Sequence, residues 1–268
     1  MRSVLTMTGP GASSSQRNMP GHWVLAQLGK RVLRPGGMEL TRRMLAALTI
    51  VSADDVVEFA PGLGTTTQLA LKRRPASYTA VERDPSVAAI VSSYLNNSTQ
   101  KCVRGSADQT GLPSEVATVV YGEAMLTMQT PEMKSRIVRE ARRLLKRGGR
   151  YAIHEMCLVG DDLDEGSKRE INQALSRAIH VGVRPLSVSE WRRLMEAEGF
   201  EVEVAARAPM HLLEPRRLLG DEGVKGTLRF VWNIMREHES RERVLIMRRV
   251  FRRYQSNLAA IMMICVKR

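Results

Sequence analysis

The sequence predicts an α/β protein built on a mostly parallel sheet with helices on both faces. Three observations carry that expectation. From Asp55 to Glu155, short apolar runs alternate with helical periods of roughly ten to fifteen residues, the rhythm of parallel βαβ units. The first run, Asp55-Val56-Val57-Glu58-Phe59-Ala60, breaks into Pro61-Gly62-Leu63-Gly64, a strand meeting a glycine turn. Two further apolar stretches, Glu201–Ala206 and Leu258–Val266, read as strands that complete the sheet.

In chain order, residues 1–20 are rich in Ser, Gly and Pro without apolar periodicity, which predicts a disordered lead-in. Two helices are expected over 21–48, His22–Val32 and Met38–Leu48, parted by Pro35-Gly36-Gly37. Strand one is followed by a helix at Thr65–Arg73, a strand at Ser77–Glu82 and a helix at Pro85–Leu95. Cys102–Gly105 and Val116–Gly122 are the third and fourth strands. An amphipathic helix, Thr130–Leu145, stops at Lys146-Arg147-Gly148-Gly149, and Arg150–Glu155 is the fifth strand. No internal repeat appears.

Beyond Cys157 the rhythm changes. Asp161–Ala178 reads as a helix, and Ser187–Glu198 as another, with Ser187 as N-cap and Glu190 as its capping-box partner. Met210 to Asn257 reads as helical throughout. The stretches 157–186 and 210–257 are therefore insertions, and a long one before a last strand is expected to cover a site. The domain proper runs over 49–268.

Composition narrows the function classes. The 268 residues carry 41 Lys+Arg against 28 Asp+Glu, a formal charge of +13. The cations are scattered, and the densest stretch, Arg236 to Arg253, interleaves Glu237, Glu239 and Glu242. With only 4% aromatic residues to stack bases, nucleic-acid binding is disfavoured. No stretch is long and apolar enough for a membrane span. Cys102, Cys157 and Cys265 are too few and too far apart for a disulfide scaffold or a CxxC-type zinc site. Five histidines without ligand spacing argue against a metal. No signal-peptide core is evident, so the default compartment is cytoplasmic.

Three spaced features form one candidate site. Gly62 and Gly64 let backbone approach a ligand where strand one gives way to a helix. Glu82 ends strand two, at a separation from the turn that suits a carboxylate gripping ribose hydroxyls. Gly105-Ser106-Ala107-Asp108 turns after strand three, where an adenine edge would lie. Their order points to a nucleoside site at the carboxyl ends of parallel strands. The third glycine of a dinucleotide fingerprint is absent, and Glu58 suits a ligand that carries a cation.

The turn EFAPGLG resembles the E/D-x-G-x-G-x-G motif of class I S-adenosylmethionine (AdoMet)-dependent methyltransferases. VERDP is similar to their second motif, GSADQTGLP to the adenine motif, and ARRLLKRGGRYAIHE to the helix–Gly-Gly–strand element. The resemblance spans about residues 50–157 and is closest to the small-molecule group that includes the ubiquinone/menaquinone methyltransferases. It implies a Rossmann-like sheet of seven strands with the last antiparallel. It places Glu58, Ala60, Pro61, Gly62 and Gly64 by the methionine end, Glu82 and Arg83 in the ribose motif, and Ser106 and Ala107 beside adenine. Two positions depart from the pattern: Ala60 stands for a usual glycine and Ser106 for a common Asp.

Methyl transfer is an in-line displacement that needs an aligned nucleophile and sometimes a proton acceptor. Glu123, after strand four, occupies the family's acceptor-side position and is a candidate for cofactor or substrate contact. His154 and Glu155 close strand five; His154 is read either as a general base or as a histidine hydrogen-bonded beneath the site. His22 and Trp23 form a lid or merely pack the first helix. Cys157 reads as a buried, inert thiol, and Phe230, Trp232 and Met235 as cover packed on the core. The expected reaction is O-, S- or N-methylation of a small molecule, in a chain that could pair as a homodimer. The alternatives are an RNA methyltransferase and a non-catalytic AdoMet-binding partner protein.

Overall fold

The computed structural model describes residues 19–160 and 162–268. The expected lead-in therefore lies outside the described residues except for Met19 and Pro20, and Met19 is buried. Two helices, α1 (Gly21–Gln27) and α2 (Gly37–Leu48), precede the alternating core of β1 (Asp55–Phe59), α3 (Thr65–Leu71), β2 (Ser77–Glu82), α4 (Pro85–Ser92), β3 (Gln100–Arg104), β4 (Ala117–Glu123), α5 (Pro131–Leu144) and β5 (Leu145–Leu158). Then come α6 (Glu165–Ile179), the two-residue β6 (Leu186–Ser187), α7 (Val188–Ala197), β7 (Phe200–Pro209), α8 (Pro215–Arg236), α9 (His238–Arg253) and β8 (Leu258–Lys267).

The strands form one sheet in the order β3-β2-β1-β4-β5-β8-β7, with β6 added beside β5. Strands β1 to β5 pair in parallel, whereas β8 runs antiparallel to both β5 and β7. This is the Rossmann-like, mostly parallel sheet expected, with β6 as a small addition. Burial explains the strand types. β8 lies between two neighbours and is buried from Leu258 to Val266, matching its unbroken apolar run. β7 is an edge strand, and most of its residues keep contact with solvent.

Helices cover both faces. Trp191 and Met195 of α7 and Ile137, Val138 and Ala141 of α5 pack on one side. Leu40, Met44, Leu45 and Leu48 of α2, with Val91 of α4, pack on the other. A third cluster joins α1, α6, α8 and α9 through Leu25, Leu175, Phe230 and Met247. Local chemistry sets the starts: Asp84 caps α4 by accepting from Ser86 and Val87, and Ser187 and Glu190 form the full capping box of α7.

Several boundaries differ from expectation. The first helix ends at Gln27 rather than Val32, because Gly29 turns with φ +95° and the backbone N–H groups of Arg31 and Val32 donate to Glu222 at 2.9 Å. The 210–257 stretch is two helices, and α8 is itself broken at Gly223, where φ is 68° and ψ is 176°. β5 starts at Leu145, the last residue of the expected helix, and runs through the segment expected to stop it, because Leu145 pairs with Ala117 ahead of a bulge. Among the described residues no helix is long and apolar enough to cross a membrane.

Candidate functional site

The parallel register aligns the carboxyl ends of the central strands. Glu58 pairs across from Ala80, and Glu123 across from His154, so the side chains that end β1, β2, β4 and β5 crowd one edge of the sheet. A cavity of about 710 Å³ opens there. Glu58, Ala60, Pro61, Gly62, Glu82, Arg83 and Glu123 line it, joined by His22, Trp23 and Arg34 from the N-terminal segment.

The turn after β1 is shaped for a ligand. Ala60 has φ +49°, Gly62 +55° and Gly64 +70°, three left-handed residues in five. Ala60 thus holds the conformation that glycine would hold freely, which explains the residue type usual at that position. A Cβ on Gly62 would meet nothing within 4 Å, leaving open space beside its backbone. Gly64 plays a different part. It caps α3 rather than lining the cavity, and a Cβ there would sit 2.6 Å from the Tyr94 ring.

Two carboxylates in this wall have opposite electrostatics. Glu58 is buried, accepts hydrogen bonds from Tyr78 Oη and from Thr67 Oγ1 (2.8 Å for the latter), and burial pushes its carboxyl up to about 7. Burial also acts on Glu123, but the charge of Arg34 and hydrogen bonds from His154 and Thr41 outweigh it and hold the carboxyl at about 2. Its oxygens lie 2.6 Å from Thr41 Oγ1, 2.5 Å from Thr66 Oγ1, 2.6 Å from His154 Nδ1 and 3.2 Å from Arg34 Nε. Glu82 is half-buried and raised by burial, while accepting from the Asp84 backbone at 2.9 Å.

The structure places His154 beneath the cavity rather than in its wall. His154 is fully buried and does not line the cavity. Its Nε2 lies 2.6 Å from the Pro35 carbonyl, which only accepts, and its Nδ1 is held by Glu123. Neither nitrogen is left to take a proton from a substrate. His154 instead ties the Pro35 loop to the carboxylate that faces the cavity.

Glu155 is likewise occupied. Its carboxylate accepts from the backbone of Met125, Leu126 and Thr127 and from Thr127 Oγ1 at 2.7–3.1 Å, pinning the 3-10 turn Leu126–Met128 at the cavity rim. Unlike His154 it does line the cavity, with its carboxylate oxygens already engaged. Ser106 and Ala107 stand outside the cavity lining: Ser106 Oγ donates to Asp108, and Ala107 packs on the core. They remain next to the site, since the Gly105 N–H donates to the Glu82 carbonyl at 3.1 Å.

His22 takes the place that His154 lacks. It lines the cavity against Trp23, with ring centroids 5.1 Å apart, and burial lowers it to about 4, so it is neutral near pH 7. No hydrogen bond engages its ring among the described residues. Arg34, Thr41 and Thr66 were not singled out by sequence; they sit on three separate segments with no shared motif. Cys157 is buried, as expected of an inert thiol. No cluster of three or more metal-ligating side chains exists among the described residues.

The model of a methyltransferase domain family matches residues 57–153, the segment that supplies β1 to β5 and the turn. The chain belongs to the class I AdoMet-dependent methyltransferases. The methyltransferase is 32% identical over 235 residues to an uncharacterized protein of Haemophilus influenzae, covering 86% of this chain and 91% of that one. Its fold is similar to the MccD protein, with a TM-score of 0.69 at 17% identity over 88% of this chain and 99% of that chain. It is also similar to phosphoethanolamine N-methyltransferase 2 of Haemonchus contortus in complex with phosphomonomethylethanolamine and S-adenosylhomocysteine (TM-score 0.71, 12% identity, 96% of this chain and 59% of that one). AdoMet is the cofactor of the methyltransferase. The residues suit it: an open backbone at Gly62, a half-buried carboxylate at Glu82 and a buried one at Glu58 border one cavity.

Proposed function

We propose that the methyltransferase acts on the oxygen or sulfur of a small, largely apolar molecule. One observation carries this reading: beside its charged groups, among them Arg34, Glu58, Glu82 and Glu123, the cavity has an apolar wall of Leu25, Leu33, Met125, Met156, Met247 and Phe251. Methionine walls adapt to irregular apolar shapes, so this wall favours an acceptor with an apolar body. The helices of 157–186 and 210–257, which supply Ile179, Met247 and Phe251 to this wall, are read as its cover.

In this reading Glu82 binds the ribose hydroxyls, Arg83 and the Ala60–Gly64 turn border the nucleoside and methionine portions, and Glu58 and Glu123 present negative charge near the cationic end. Ser106 and Ala107 back the adenine side. When bound, the cofactor supplies an electrophilic methyl group on a sulfonium. His22, kept neutral, accepts the hydrogen bond of the acceptor's O–H or S–H and so orients that atom toward the methyl group; a ring held at about 4 does not retain the proton, which passes to solvent after transfer. His154 is a positioning residue that fixes Glu123 and the Pro35 loop. The three cysteines, none of them in a disulfide among the described residues, suit a cytoplasmic setting.

The test is radiolabelled AdoMet offered with pooled phenols, thiols, amines and bulk RNA. Label in a small O- or S-methyl product supports the proposal. Label confined to RNA, with activity falling steeply in salt, would favour the RNA methyltransferase reading. Cofactor binding without turnover on the whole panel would favour a non-catalytic partner. For this orienting hydrogen bond, His22→Phe should cut turnover at least about tenfold while AdoMet affinity stays within about twofold. Unchanged turnover would remove His22 from the chemistry.

A further inference from the structure

The outward side of α8 is apolar where packing on the core was expected. Val224, Leu228, Val231, Trp232 and Met235 recur at i, i+4, i+7, i+8 and i+11, which places them on one stripe. All five are exposed, Trp232 at 61% and Met235 at 68%, while Phe230 on the opposite side is buried in the cluster with Met247 and Phe251. Trp232 and Met235 therefore do not pack on the core as the sequence suggested. From Gly223 to Arg236 the chain carries Lys225, Arg229 and Arg236, all exposed, and not one Asp or Glu.

We propose that this face of α8 docks the enzyme on an anionic lipid bilayer. The apolar stripe with a tryptophan enters the headgroup–acyl boundary, and the adjoining cations meet anionic headgroups. Charge complementarity favours this occupant over a second copy of the chain. Symmetric pairing of two such stripes would set cation against cation, with no carboxylate on this stretch to compensate. The net charge of +13 works in the same direction at longer range. Docking would also bring the Phe230 cluster, which adjoins the apolar cavity wall, toward the lipid phase. The inference does not depend on the acceptor assigned above, because its readout is membrane binding.

The experiment is flotation of the full chain with vesicles of neutral phosphatidylcholine, and of phosphatidylcholine containing about one-third phosphatidylglycerol. Binding to the anionic vesicles, weakened by added salt, with a blue shift of tryptophan emission that Trp232→Phe removes, is the expected result. Leu228→Glu/Trp232→Glu and, separately, Lys225→Glu/Arg236→Glu should each weaken binding at least about tenfold, with AdoMet affinity and circular dichroism unchanged. Absence of binding, equal binding to both vesicle types, or binding that survives both double variants would overturn the proposal. So would a solution dimer that Leu228→Glu/Trp232→Glu dissociates while no vesicle binding occurs.

Discussion

Glu58 and Glu123 line one cavity yet titrate on opposite sides of the ordinary carboxylate range. Burial dominates at Glu58, whose hydrogen-bond donors are neutral hydroxyls. At Glu123 the Arg34 charge and the bonds from His154 and Thr41 overcome the same penalty. A cationic ligand is held better once Glu58 is ionised, so AdoMet affinity should rise as pH passes upward through about 7. Calorimetry across that range should show the rise in the parent chain and a flat profile in Glu58→Gln. Glu82→Ala should weaken AdoMet at least about tenfold, as expected for losing one charged hydrogen bond; unchanged affinity would misplace the ribose carboxylate. His154→Phe removes the buried donor of the Pro35 carbonyl and one of the four groups that hold Glu123, so urea unfolding should show a loss of about 2 kcal/mol. The glycine turn, Glu82 and Glu123 were legible because strand ends and turns leave fixed spacings in the chain. Arg34, Thr41, Thr66 and the role of His22 were not, because residues contributed by separate helices share no spacing.

At the scale of elements, the helix starts at Asp84 and Ser187 were readable from side chains that cap their own helices. The end of α1 was not, because the partner that takes its following backbone donors, Glu222, is about 190 residues away. Asp221 and Glu222 also flank the buried Lys30 ammonium at 3.6 and 3.5 Å, and Asp221 accepts from the Met38 backbone. Together they fasten the whole Arg31–Pro35 wall to α8. Glycines in the site separate two kinds of constraint. Gly64→Ala meets both a left-handed backbone and the Tyr94 ring, and should cost about 2 kcal/mol or more in thermal or urea unfolding. Ala60→Gly releases backbone strain and should change stability by less than about 1 kcal/mol, in the stabilising direction.

For the molecule as a whole, the two carboxylates give stability a predictable pH dependence. The Glu58 contribution is complete below about 4.5 and is lost as pH rises through about 7; the Glu123 contribution is present above about 4.5 and is lost as pH falls toward about 2. The cofactor offsets the Glu58 charge, so AdoMet should raise the melting temperature more at pH 8 than at about pH 5.5, read by calorimetry. The sheet order was legible as a class but the place of the last strand has a consequence of its own. Residues 258–267 lie between β5 and β7, so the ribosome makes the interior of the sheet after both its neighbours. A nascent chain that has not yet reached Leu258 exposes two unpaired strand edges, one of them bordering the main core. Fragments ending at Asn257 should therefore fail to fold and should accumulate in inclusion bodies, and during synthesis the protein depends on whatever shields those edges until β8 arrives.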